Sequence, residues 1–161
     1  MSRTLILQPL TNEQFAPFGD VLSVAGTPDR IINQGLCGRY HDRARIDVAG
    51  GKTGISLFDA EARRLPMTLQ MVERHPLGSQ AFLPMTQHPF VVIVAPDVDG
   101  QPGTPLAFKP APGQGVNYHR NTWHGVLTPL HAPGLFAVVD RIAEDANLEE
   151  YWFETPYRVT D

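Results

Sequence analysis

A single cysteine, Cys37, stands among the 161 residues. No disulfide can form within the chain, which suits the reducing cytoplasm expected for it. Apolar runs are short, and none approaches the roughly 20 residues of a membrane helix, so no membrane partner is expected. The segment Met1 to Pro9 has no signal-peptide core followed by a small-residue cleavage site, and it reads as a first strand. A basic stripe is also lacking: net charge is -4 with a pI near 5.8 and the cations are scattered, which argues against a nucleic-acid partner. No serine elbow, Gly-rich phosphate loop, CxxC pair or HExxH helix occurs, which disfavours esterases, nucleotide enzymes, zinc fingers and zincin proteases. Lysine is scarce too, two against eleven arginines. The planar guanidinium fork suits a small carboxylate partner better than an ammonium does.

What is abundant is punctuation. Fifteen prolines and fourteen glycines separate short runs rich in Val, Ile, Leu and Phe, the layout of many short antiparallel strands. Strands are expected over residues 3–7, 20–24, 40–48, 54–58, 67–75, 80–85, 90–95, 106–109, 115–119, 125–127 and 135–141, with a hairpin loop at 97–105. This pattern predicts a mainly β sandwich or barrel spanning residues 1–161 as one domain. Two short helices are expected. Thr11 with Gln14 three residues on forms a capping box for a turn stopped by Pro17, and a second helix is placed at 145–150.

Three segments concentrate ionisable side chains. Under period-two alternation Met67, Leu69, Met71, Glu73 and His75 share one face, which runs from apolar to ionisable. Neighbours on that face lie roughly 6.6 Å apart, close enough for a carboxylate and an imidazole to meet one ion or substrate. Gln80 follows after a Pro76-Leu77-Gly78 turn. The second segment runs Gly113 to His124 and places Tyr118, His119, Arg120 and His124 around a tight polar turn, with imidazoles suited to metal ligation or to acid–base work. His119 and His124 face the same mouth only if that turn reverses their parity. In the third, Arg39-Tyr40-His41-Asp42, alternation places Arg39 and His41 on one face. Val139-Asp140-Arg141 ends an apolar strand with two charges. His88 and His131 lie in Pro-flanked loops and receive no role.

These residues resemble a cupin pattern. Cupins carry His-x-His, then three or four residues and Glu, and later a lone His after a turn. Here Glu73-x-His75-x4-Gln80 and His124 occupy those places, with Glu and Gln at two of the usual positions. With Gly35-Leu36 through Arg39-Tyr40-His41-Asp42, Glu73-Arg74-His75-Pro76-Leu77-Gly78, Gln80 to Met85, Gln114 to Asn121, Trp123-His124 and Asp140-Arg141, the chain is similar over nearly its whole length to the ureidoglycolate lyase family. The resemblance implies a cupin-like double-stranded β-helix barrel, a cytoplasmic homodimer, and conversion of (S)-ureidoglycolate to glyoxylate and urea in allantoin breakdown with a divalent metal, nickel. His75, Gln80 and His124, with Glu73, are expected either to hold the metal, a set without thiolate that fits a borderline or hard divalent ion, or to bind the substrate's hydroxyl and carboxylate oxygens directly.

Cleavage of such an acid needs a base for the hydroxyl proton, a carboxylate clamp and a donor to the urea nitrogen. Glu73 or His119 is the expected base. Arg39, Arg120 or Arg141 is the expected clamp, and Tyr118 or His41 the donor. Two rival readings are a non-catalytic cupin that binds a small carboxylic acid and an amidohydrolase that releases ammonia.

Overall fold

The structure, a computed structural model, describes residues 3–161; Met1 and Ser2, at the start of the segment read as the first strand, lie outside them. An eight-stranded sheet has the order β1 (Thr4–Ile6), β17 (Glu149–Thr160), β7 (Met67–Arg74), β14 (Trp123–His124), β9 (Phe90–Ala95), β12 (Leu106–Lys109) and β2 (Gln8–Pro9), with β15 (Thr128–Pro129) also paired to β9. A five-stranded sheet runs β3 (Gly19–Leu22), β13 (Gly115–Tyr118), β8 (Gln80–Pro84), β16 (Gly134–Ile142) and β6 (Lys52–Ala60). Two small hairpins are added, β4 (Arg30–Ile32) with β5 (Cys37–Arg39), and β10 (Asp97–Val98) with β11 (Gln101–Pro102), the latter inside the loop expected at 97–105.

The two large sheets face each other as a nearly closed, cupin-like barrel. Its inner core joins Phe90, Val92 and Val94 of β9 and Phe108 of β12 to Phe82, Val116, Tyr118, Phe136 and Val138 of the opposite sheet. Alternate residues of β9, Val91, Ile93 and Ala95, enter a second cluster on the other side of the same sheet with Leu5, Trp123, Tyr157 and Val159. A strand buried on both faces must be apolar at every position, which is why Phe90 to Ala95 has no polar residue. The single helix found among the described residues, α1 (Asn12–Phe15), is capped by the Thr11 hydroxyl, which accepts from Gln14 N at 3.3 Å. It drops Phe15 into the inner core. Gly19 lets β3 approach β13, since a Cβ there would lie 1.9 Å from the Asn117 carbonyl oxygen.

Four expectations need correction. Residues 40–48 are not a strand. The backbone N–H groups of His41, Arg45 and Asp47 donate to the side chains of Asp29, Asp20 and Ser79, and Asp42 has φ 47°, so the ladder is given up and only a bridge from Val48 to Gly78 remains. Residues 125–127 are not a strand either; they connect β14 to β15. No helix forms at 145–150, because Asp145 is bound by Arg141, Asn147 is bound to the His75–Leu77 turn, and Glu149 and Glu150 enter β17. Finally, β7 does not alternate evenly. Met67, Leu69 and Val72 all pack into the second cluster, so the phase slips by one residue, opposite an irregularity between Trp152 and Tyr157 of β17. Glu73 therefore faces the opposite way from Met67 and Leu69.

Candidate active site

That slip turns Glu73 inward. Its direct partner across β14 is His124, and the partner of His124 on β9 is Val94, an inner-core residue. His75 follows β7 by one residue and returns to the same place. Glu73 Oε1 lies 3.9 Å from His75 Nε2 and 3.7 Å from His124 Nε2, and the two imidazole centroids are 5.1 Å apart. Ligands about 2.0–2.2 Å from a common ion are separated by such distances.

Both imidazoles are held in one tautomer. His75 Nδ1 meets the Asn147 carbonyl at 2.8 Å and His124 Nδ1 meets the Thr122 carbonyl at 2.9 Å. A carbonyl can only accept, so each Nδ1 donates and each Nε2 keeps its lone pair. Both Nε2 atoms are buried without a hydrogen-bond partner. Burial, with His75 adjacent, pushes His124 down to about 3 and keeps it neutral. Burial raises Glu73 above the ordinary carboxylate range, with Glu150 adding to the rise and His75 opposing it.

The opposite sheet supplies the facing wall. Tyr118, Gln80 and Asp140 form one cross-strand row, in line with the inner-core residues Val116, Phe82 and Val138 of their strands. The Tyr118 ring stacks on His124 at 4.2 Å with planes 13° apart, and burial raises its phenol so that it keeps its proton. Gln80 Nε2 donates to Asp140 Oδ2 at 3.1 Å, which leaves Gln80 Oε1 buried and unpartnered. Two orphaned imidazole nitrogens and a carboxylate are donors of the kind a divalent cation takes. Among the described residues Glu73, His75 and His124 are the one group of three with metal-ligating atoms within 4.8 Å of one another.

The other candidates lie elsewhere. His119, the residue after Tyr118, has Nε2 3.1 Å from Asp20 Oδ2. Burial alone would raise Asp20, but donors from Arg45 N, Asn117 and His119 outweigh it and hold the carboxyl below its ordinary range. With Asp42 and Arg43 this pair lines an open cavity of about 390 Å³. Following the inward-facing Tyr118, His119 alternates to the other side and lies outside the Glu73 group. Arg120 donates to the Pro76 carbonyl at 2.6 Å beside a second cavity lined by Arg45, Asp47 and His119. The neighbouring Asn121 N–H donates to the His75 carbonyl. Arg141 is buried and committed, donating to the Ala49 carbonyl and to both Asp145 oxygens. Arg39 and His41 sit on the exposed β4–β5 excursion. Sequence reasoning missed Asn147 and the role of Asp140; the only trace was Asp140 beside Arg141 at a strand end.

A sequence model of the family described as Ureidoglycolate lyase matches residues 2–160. Among curated relatives, the ureidoglycolate lyase of Rhodobacter capsulatus is 62% identical over 156 residues, covering 96% of this chain and 97% of the relative. Ureidoglycolate lyase 2 of Rhizobium meliloti is 52% identical over 157 residues, covering 96% of each. The ureidoglycolate lyase of Chelativorans sp. is 52% identical over 159 residues, covering 98% of this chain and 96% of the relative.

Proposed function

The chain belongs to the ureidoglycolate lyase family, and from that membership we propose that it cleaves (S)-ureidoglycolate to glyoxylate and urea at Glu73, His75 and His124, as one cupin-like domain. The carrying observation is the convergence of a carboxylate and two tautomer-fixed imidazoles at the end of the barrel interior.

The central carbon of ureidoglycolate bears a hydroxyl, a carboxylate and a urea nitrogen. Cleavage takes the proton from the hydroxyl, converts that C–O bond to the aldehyde carbonyl, breaks C–N and puts a proton on the urea nitrogen. The atoms balance without water or an oxidant. Glu73 is the base, because a partly desolvated carboxylate with a raised pKa accepts a proton more readily than a free one. Oε1 faces the imidazoles, and the other oxygen takes the proton and returns it to the urea nitrogen. Tyr118 stays a neutral phenol and donates a hydrogen bond to the urea. His119, engaged with Asp20, is the weaker candidate for the base.

His75, His124, Gln80 Oε1 and Glu73 Oε1 are the residues that would hold a divalent ion, and an N/O set without thiolate suits nickel. Such an ion, when bound, supplies a Lewis acid for the hydroxyl and carboxylate oxygens. A place in allantoin and purine breakdown follows from the substrate. A cytoplasmic location agrees with Cys37 being the sole cysteine. A homodimer agrees with the exposed Ile55 and Leu57 on β6.

The test is to incubate pure protein with racemic ureidoglycolate, with and without chelator, and to quantify glyoxylate, urea and ammonia above the uncatalysed background. Equimolar glyoxylate and urea without ammonia is expected, with the rate falling under chelation. Ammonia at the expense of urea would make the protein an amidohydrolase, and saturable binding without products would make it a binding protein.

A further inference from the structure

The β4–β5 hairpin stands apart from the barrel. Its strands pair only with each other, and its neck is closed internally: Asp29 accepts from His41 N at 2.9 Å and from Arg43 Nη2 at 2.8 Å, and the Tyr40 hydroxyl donates to the Gly26 carbonyl. An uncovered two-stranded ribbon is marginal in water. This one nonetheless exposes Ile31 at 61% and Leu36 at 87%. It also sets Arg30 directly opposite Arg39, two exposed cations in one cross-strand pair, neither in a salt bridge among the described residues. Like charges so placed repel unless an acidic surface meets them.

The site has the complementary deficit. Its neighbouring loop and the start of β17 carry Glu144, Asp145, Glu149 and Glu150, with Asn147 holding His75 and Glu150 directly across from Glu73. The cations on this rim's own elements are spent, Arg74 on Asp97 and Glu149 and Arg141 on Asp145 and Ala49, and Arg120, part-exposed beside the His75 turn, donates to the Pro76 carbonyl with Asp47 3.9 Å away. An anionic substrate therefore meets a negative rim. The same loop continues from β16, whose outer face with β6 and β8 is apolar, Val139 lying between Ile55 and Ala81, and Ala137 between Leu57 and Leu83.

We propose that the β4–β5 hairpin is an intersubunit arm: it lies over the outer face of β6, β16 and β8 in a second copy of this chain, Ile31 and Leu36 against the apolar strip, and carries Arg39 to that copy's acidic rim to hold the substrate carboxylate. The dimer thus covers the exposed Ile55, Leu57 and Leu83 of one copy with Ile31 and Leu36 of the other and adds an uncommitted cation to the rim, and each site is incomplete without its partner. The substrate assignment rests on the lyase reading above; the arm does not.

Two experiments decide it. Light scattering on the eluted protein should give a dimer for the wild type and a monomer for Leu36→Glu; an unchanged dimer for Leu36→Glu overturns the arm. Arg39→Ala should raise KM roughly 10- to 100-fold with its dimer intact, and His124→Ala should be inactive. Co-expressed at equal levels and assayed at low substrate, the two should recover about a quarter of wild-type activity, because half the dimers are mixed and each mixed dimer has one whole site. Arg39→Ala at wild-type KM, or a mixed dimer with no recovery, would show that Arg39 does not act across the interface. Absence of turnover by the wild type would instead defeat the lyase reading, and the mass of Leu36→Glu would then judge the arm by itself.

Discussion

His124 concentrates the chemistry of the site in one side chain: it is buried, stacked on Tyr118, held neutral and fixed in tautomer by Thr122. Glu73, His75 and His124 were singled out in the sequence by strand alternation and by their resemblance to the cupin pattern, and the structure brings these three together. Asn147 and Asp140 were not legible, since one acts through its backbone carbonyl and the other through a register that only the folded sheet defines. Asp140 fixes which end of the Gln80 amide faces the site. Asp140→Ala should therefore weaken nickel binding about 10- to 100-fold by titration calorimetry with the far-ultraviolet spectrum unchanged; unchanged affinity would remove Gln80 Oε1 from the ligand set. Asp20 gives a pH signature. Its folded pKa is below the ordinary 3.8, so its stabilisation is fully present above 3.8 and is lost as pH falls from there through the lower folded pKa. Asp20→Asn should melt below the wild type near neutrality, and the gap should close below roughly pH 4.

Among the elements, β9 and β16 were readable because their sides are apolar or alternate cleanly. The strand β17 was not. Its burial is interrupted at Glu154, Thr155 and Pro156, where the register to β7 shifts, and the same irregularity carries the phase slip that turns Glu73 inward. Residues 40–48 misled for a different reason: their composition suits a strand, but their N–H groups are taken by carboxylates and a hydroxyl from distant segments. The loop after β16 is held at two points, Arg141 to Asp145 and Asn147 to Leu77, and it in turn holds His75. Arg141→Ala should destabilise the protein by about 1–3 kcal/mol in denaturant melts, because the Ala49 carbonyl loses its donor in a buried setting. Arg141→Lys should not restore it, since an ammonium cannot reproduce the guanidinium's simultaneous reach to the carbonyl and the carboxylate. Full rescue by lysine would reduce Arg141 to a simple charge.

At the scale of the whole molecule, a barrel with one core inside and a second behind its larger sheet leaves one end free of packing demands, and there the cross-strand rows change from apolar to ionisable: Val94 to His124 and Glu73 on one wall, Phe82 and Val138 to Gln80 and Asp140 on the other. The barrel class was readable from turn spacing and composition, whereas which strands face each other depends on pairings distant in sequence. The central claim is that ureidoglycolate is split where those rows meet. The most direct measurement is the initial rate of urea and glyoxylate formation from ureidoglycolate by the wild type and by His124→Ala, compared at matched far-ultraviolet spectra. The expected result is equimolar products from the wild type and a rate at least about 100-fold lower from the variant; a folded His124→Ala working at the wild-type rate would contradict the account.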